Sequence, residues 1–204
     1  MCHGAILDCT DATAAKHWHM PKTPPLDHDT FIAALRTWDG RTAADLKALY
    51  QAHHHATDFL PRLVEACEDV ETETAATWLI KHHCEMGATP IPGLLRQQIL
   101  ASLPNLTRWD ARLHLLQIMD HLRPIPTSLA PAIYDALADG AASARPLLRA
   151  WSLFAAAQLA VQHDTYAQKV HHLLETAADD NPKGAVAVRL REATALMAQK
   201  PDDA

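Results

Sequence analysis

A chain of 204 residues carrying a net charge of −6 is long enough to bury a core without disulfides or a metal. Its acidic balance excludes a bulk electrostatic grip on nucleic acid or an anionic membrane, though not a local basic patch. Aromatics make up only 5% of the residues while alanine is abundant, a mixture that favours close-packed helices over strands.

Residues 1–29 read as an irregular extension, with an extended Met20-Pro21-Lys22-Thr23-Pro24-Pro25 run; Met20 is a candidate alternative start. From Thr30 the apolar spacing is helical: Phe31, Ile32, Leu35 and Trp38 share one face, and Gly40 closes it. Thr42, with Asp45 three residues on, is expected to cap a helix facing inward through Leu46, Leu49, Tyr50 and His53. Asp58 is expected to cap the next, with Leu60, Leu63, Val64 and Cys67 inward. A helix from Thr72 to Met86 buries Ala75, Ala76, Leu79, Ile80 and His83 and stops at Gly87. Pro90 and Pro92 open one through Leu94, Leu95, Ile99 and Leu103. Asn105 or Thr107 opens another, with Trp109, Leu113, Leu116 and Met119 on one face. Beyond Pro124 and Pro126, Ser128 is expected to cap a helix that Gly140 stops. The segment 144–161 is apolar almost all round and should be the most buried helix. A helix over 165–178 follows, and Asn181-Pro182 signals the start of a last one, with Val186, Leu190, Ala193 and Leu196 inward.

About ten helices and no strand result. Shorter and longer helices alternate. Prolines recur early in the shorter ones, Pro61, Pro92 and Pro131, and arginines near the start of the longer ones, Arg112, Arg145 and Arg189. With Phe59-Leu60-Pro61-Arg62-Leu63, Ile91-Pro92-Gly93-Leu94-Leu95, Asp110-Ala111-Arg112-Leu113 and Ala187-Val188-Arg189, the chain resembles the HEAT family of helical repeats. The resemblance covers about residues 57–198 and implies an all-α superhelix of four antiparallel helix pairs, with Asp110 in the place of the family's interhelix aspartate. It makes 30–200 one helical-repeat domain, with 30–56 as N-terminal cap helices. A compact helical bundle is the alternative.

The HEAT resemblance also implies that the second helices line a concave groove. Arg108, Arg112, Arg145, Arg149 and Arg189 would then give it a local basic character suited to an acidic protein segment or a phosphate backbone. The competing reading pairs these arginines with Asp110, Glu192 and neighbours, or lays their stems on apolar surface. Some HEAT-like solenoids are glycosylases for alkylated DNA bases, and Trp109, Asp110, Arg112 and Trp151 match their inventory by residue type; as core residues, Trp78, Trp109 and Trp151 have a simpler role.

The fourteen histidines suggest a metal-binding alternative. However, His53-His54-His55, His82-His83 and His171-His172 are adjacent in sequence, where helical residues diverge by about 100°, and the expected arrangement is one histidine inward and its neighbour in water. Cys2, His3, Cys9, His17 and His19 are metal-capable types without a standard zinc spacing. Cys67 and Cys84 read as buried thiols. No phosphate loop, nucleophile elbow or paired-carboxylate motif is present. The sequence therefore predicts a cytoplasmic scaffold for a protein partner, with no membrane segment, catalytic residue or cofactor, and with nucleic acid disfavoured.

Overall fold

The computed structural model describes residues 27–87 and 90–199. Cys2, His3, Cys9, His17, His19 and Met20, singled out above, lie outside them. The described residues are all-helical: eleven α-helices, two short 3-10 turns and no strand. The helices are α1 (His28–Thr37), α2 (Ala44–His53), α3 (Phe59–Ala66), α4 (Glu73–Glu85), α5 (Gly93–Ser102), α6 (Trp109–Gln117), α7 (Met119–Leu122), α8 (Ala130–Ala141), α9 (Pro146–Gln162), α10 (Ala167–Asp179) and α11 (Gly184–Ala198).

The apolar spacing locates these helices; the caps are where sequence and structure part. Asp27 caps α1, accepting from the Thr30 amide at 3.1 Å. Thr42 does not cap α2. The residue in that place is Ala43, and the polar group of the turn is Asp39, which accepts from the amide of Arg41 at 2.9 Å. Asp58 occupies the first cap of α3 without a capping hydrogen bond and faces Arg62 instead, at 3.7 Å. Leu129, not Ser128, precedes α8. Asn181 is left-handed, with φ 48°, a conformation suited to leaving α10, so Lys183 rather than Asn181 opens α11. The face running from Trp109 to Met119 breaks at Ile118, between α6 and α7.

The helices form two contact series. α4, α6, α9 and α11 pack one against the next; α3, α8 and α10 lie against α4, α9 and both α9 and α11 respectively, and α5 bridges α3 and α7. α1 and α2 rest on α4. One apolar core runs continuously from Phe31 to Ala193. α9 is its centre, touching α6, α8, α10 and α11, and ten of its 17 residues are buried, from Leu148 to Ala160.

Two buried contacts set the spacing of the series. The Glu73 carboxylate, 2% exposed, accepts from the Thr107 amide at 3.0 Å, the Thr107 hydroxyl at 2.7 Å and the Arg108 amide. A residue at the start of α4 thus caps α6, and its charge meets the positive end of that helix. Gly140 does not stop α8, which continues through Ala141. A Cβ there would lie 2.2 Å from Ser152 Oγ and 3.1 Å from Ser152 Cβ, so glycine is what lets α8 and α9 approach.

Glu73→Ala should destabilise the fold by about 2–4 kcal/mol, because it leaves buried amide donors unpaired; urea denaturation measures it. Gly140→Ala should cost about 1–3 kcal/mol by overpacking. The Ser152 hydroxyl has no hydrogen-bond partner among the described residues. Ser152→Ala should therefore be neutral or stabilising, and Gly140→Ala made in that background should cost less.

Candidate functional site

The five arginines expected in the groove separate into two groups. Arg112 and Arg149 tie the helices together. Arg112 donates through Nε to the Leu106 carbonyl and through Nη1 to Asp139 at the end of α8, both at 2.7 Å. Arg149 pairs with Asp180 at the end of α10. The side chains of Arg112 and Arg149 are 24% and 25% exposed, which leaves little of either for a ligand.

Arg145 and Arg189 lie over aromatic rings. The Arg145 guanidinium sits 4.4 Å from the Trp109 ring centre and that of Arg189 3.7 Å from Trp151. Arg189 is also 5.2 Å from Phe154 and donates to Glu192 at 2.6 Å. Arg145 is exposed and has no carboxylate partner among the described residues. Arg108, exposed at the start of α6, stands 3.9 Å from Asp110.

The tryptophans are not core residues in the way the sequence suggests. Trp78, Trp109 and Trp151 pack against the core but are only partly buried. On α9, the exposed Leu147 and the partly buried Trp151 and Phe154 recur at helical spacing as one apolar strip. Sequence reasoning missed this strip because α9 reads as apolar on every side. The available signal was residue size: where α9 meets its neighbours it uses mostly alanine with three leucines, Leu148, Leu153 and Leu159, and its large aromatics fall elsewhere. Trp109, Asp110, Arg112 and Trp151, alike in type to a base-removing site, each have partners within the chain: Arg145 and Arg189 lie over the two tryptophans, Arg112 donates to Asp139, and Asp110 accepts from the Thr74 hydroxyl at 3.0 Å.

Between α4 and α6 lies a polar seam. The Thr77 hydroxyl donates to the Glu73 carbonyl at 2.8 Å. Its single proton is therefore committed, and Nδ1–H of His114 donates to Thr77 Oγ1 across 3.1 Å. Burial, assisted by Lys81, holds the His114 imidazole down to about 4, against the pull of Asp110 and Glu85. It is a neutral structural histidine.

His53, His54, His55, His82 and His83 gather with aromatic rings. Tyr50 stacks on His54, with centroids 4.6 Å apart, and meets His82 edge-on at 4.8 Å; His82 in turn stacks on Trp78 at 4.9 Å. Burial lowers the His82 pKa, with Lys47 and Lys81 adding to it. His83 is buried, as its place on the apolar stripe predicts. His54 and His82, unlike His83, stay partly exposed, and each also packs against an aromatic ring. Among the described residues no group of three or more His, Cys, Asp or Glu side chains is placed to hold a metal ion. Burial pushes the Cys67 thiol up to about 12 and the Cys84 thiol up to about 11, so neither is a ready nucleophile. No described helix is long and apolar enough to cross a membrane.

His114 links stability to pH. In the unfolded chain it binds its proton near pH 6.5; in the fold it does so only near 4. Between these values the unfolded chain holds a proton that the folded chain refuses, so stability falls as pH drops from 6.5 towards 4, by up to about 3 kcal/mol, and this contribution levels off below. Urea midpoints measured across that window should show a steeper loss for the natural chain than for His114→Gln, which has no proton to gain.

The chain matches no protein-family model, no curated protein and no solved structure.

Proposed function

We propose that the chain is a HEAT-like helical-repeat scaffold that holds an extended, acidic segment of a protein partner across its second helices, α4, α6, α9 and α11. The observation that carries this reading is the exposed Leu147 at helical spacing from the partly buried Trp151 and Phe154, with Arg189 lying over those two rings and Arg145 stacked on Trp109. The Arg145 guanidinium, lying flat on Trp109, is held in orientation while its N–H edge stays open to a bidentate carboxylate; Arg189 already donates to Glu192, so a ligand carboxylate there shares or displaces that bond. Less side-chain entropy is then lost on binding than for a free arginine. The neighbouring apolar strip supplies the desolvated contacts that aromatic anchors provide at protein interfaces. Arg112 and Arg149, tied to Asp139 and Asp180, belong to the scaffold and drop out of the binding set; Arg108 stays at its edge. The free thiols of Cys67 and Cys84 are in keeping with a reducing, cytoplasmic setting.

A display library of acidic peptides provides the test. The natural chain should enrich a family combining carboxylates with an apolar anchor. The double variant Arg145→Glu, Arg189→Glu should bind that family at least about tenfold more weakly with its fold intact. No enriched family, unchanged affinity in the variant, or saturable and salt-sensitive binding of duplex DNA instead would overturn the proposal.

A further inference from the structure

A pocket of about 640 Å³ opens where the C-terminal ends of α2 and α4 meet the N-terminal end of α3 and the start of α5. It lies apart from the strip on α9 and does not depend on the reading of that strip. Its volume is that of a small-molecule site, for which about 300–1,000 Å³ is typical. Phe59, Leu60, Leu95 and Pro92 give it an apolar lining, to which Met86, 59% exposed, adds. At one end are Tyr50, His54, His55 and His83. Among the described residues, the lining contains no Asp, Glu, Lys or Arg.

The polar end is organised. The Tyr50 hydroxyl faces His83 Nδ1 at 3.4 Å. The His54 ring is stacked on Tyr50, and its Nδ1 lies 2.9 Å from the Tyr50 carbonyl. A carbonyl only accepts, so Nδ1 of His54 carries a proton and donates to it, and Nε2 is the ring's remaining polar atom. The His55 ring lies alongside, with centroids 3.7 Å apart.

We infer that this pocket binds a small aromatic weak acid: a planar apolar body enclosed by Phe59, Leu60 and Leu95, with one carboxyl group at the His54–His55 end. The fit is one of shape and proton count. A flat body matches a lining of rings, prolines and leucines. A carboxyl group and His54 Nε2 share one proton, so the pair is hydrogen-bonded whichever atom holds it. With no carboxylate in the lining, the incoming acid meets no like charge. A neutral ester of the same body lacks the shared proton, and a cation meets only protonatable rings.

The probes are 2-naphthoate and its methyl ester, followed by calorimetry. The natural chain should bind the acid at a single site, about tenfold more tightly than the ester, the weight of one charge-assisted hydrogen bond. Leu95→Trp, which fills the pocket, should abolish binding of both probes. His54→Phe, which keeps a flat ring against Tyr50, should bind acid and ester alike; if that variant misfolds by circular dichroism, His54→Gln, which also has no proton to exchange, serves instead. The inference is overturned if neither probe saturates, if Leu95→Trp leaves binding unchanged, or if the preference for the acid survives loss of the His54 imidazole.

Discussion

A helix that touches four others must have small sides. α9 packs against α6, α8, α10 and α11, and a cylinder so surrounded has no room for leucine on every face. Its sequence meets the constraint with Ala150, Ala155, Ala156, Ala157 and Ala160, all buried, and α8 supplies Gly140 at the closest approach, against Ser152. Close packing of this kind has few alternative solutions. The approach of α8 to α9 helps set where Asp139 stands for Arg112. The seat of α11 against α9 sets where Arg189 can lie on Trp151. The surface offered to a partner is therefore a consequence of how the alanine faces pack.

Apolar faces alone leave helices free to slide, and polar ties stop them. Glu73 caps α6 from α4; Gln162 accepts from the Ile125 amide at 2.9 Å, and His163 donates to the Ile125 carbonyl at 2.9 Å, fastening the turn after α7 to the end of α9. Gln158 donates to Asp120 at 2.7 Å from within the same helix end. Each joins residues more than thirty positions apart. Several are charge-assisted or partly buried, where a hydrogen bond has more effect than at an open surface. They add little apolar area, and their contribution is to register.

This division explains what was legible in the linear sequence. Helix positions and core faces follow from local periodicity, so Phe31, Leu79, Leu116 and Leu190 can be assigned from spacing alone. Caps are local only when the capping side chain is a neighbour, as Asp27 is for α1. For α6 the cap comes from Glu73, and no spacing rule near Thr107 points to a residue 34 positions earlier. Gly140 shows the same limit. Its local reading is a helix stop, while its actual role is set by Ser152 on another helix. The histidines divide likewise: the inward place of His83 is periodic, but the stacking of His82 and His54 on Trp78 and Tyr50 depends on how α2 meets α4.

The arginines carry the comparison furthest. In the linear sequence, Arg112, Arg145 and Arg189 align as one repeated position near the starts of the longer helices. The helix boundaries give a different alignment. Arg108 and Arg145 each stand immediately before a helix, α6 and α9, and Arg112 and Arg149 are the fourth residues of those helices. Each fourth-position arginine reaches an aspartate near the end of the next α8- or α10-type helix, Asp139 or Asp180. The repeated unit is thus a pair of arginines four apart, one before the helix and exposed, the other inside and tied. In α11 the fourth residue is Ala187, and among the described residues no helix follows for it to tie. Arg189 instead turns back over Trp151 on α9. One residue type therefore serves two purposes, sorted by a shift of a single helical turn. A charge one turn into the helix is spent on packing, while Arg145, placed before it, keeps its guanidinium on the surface.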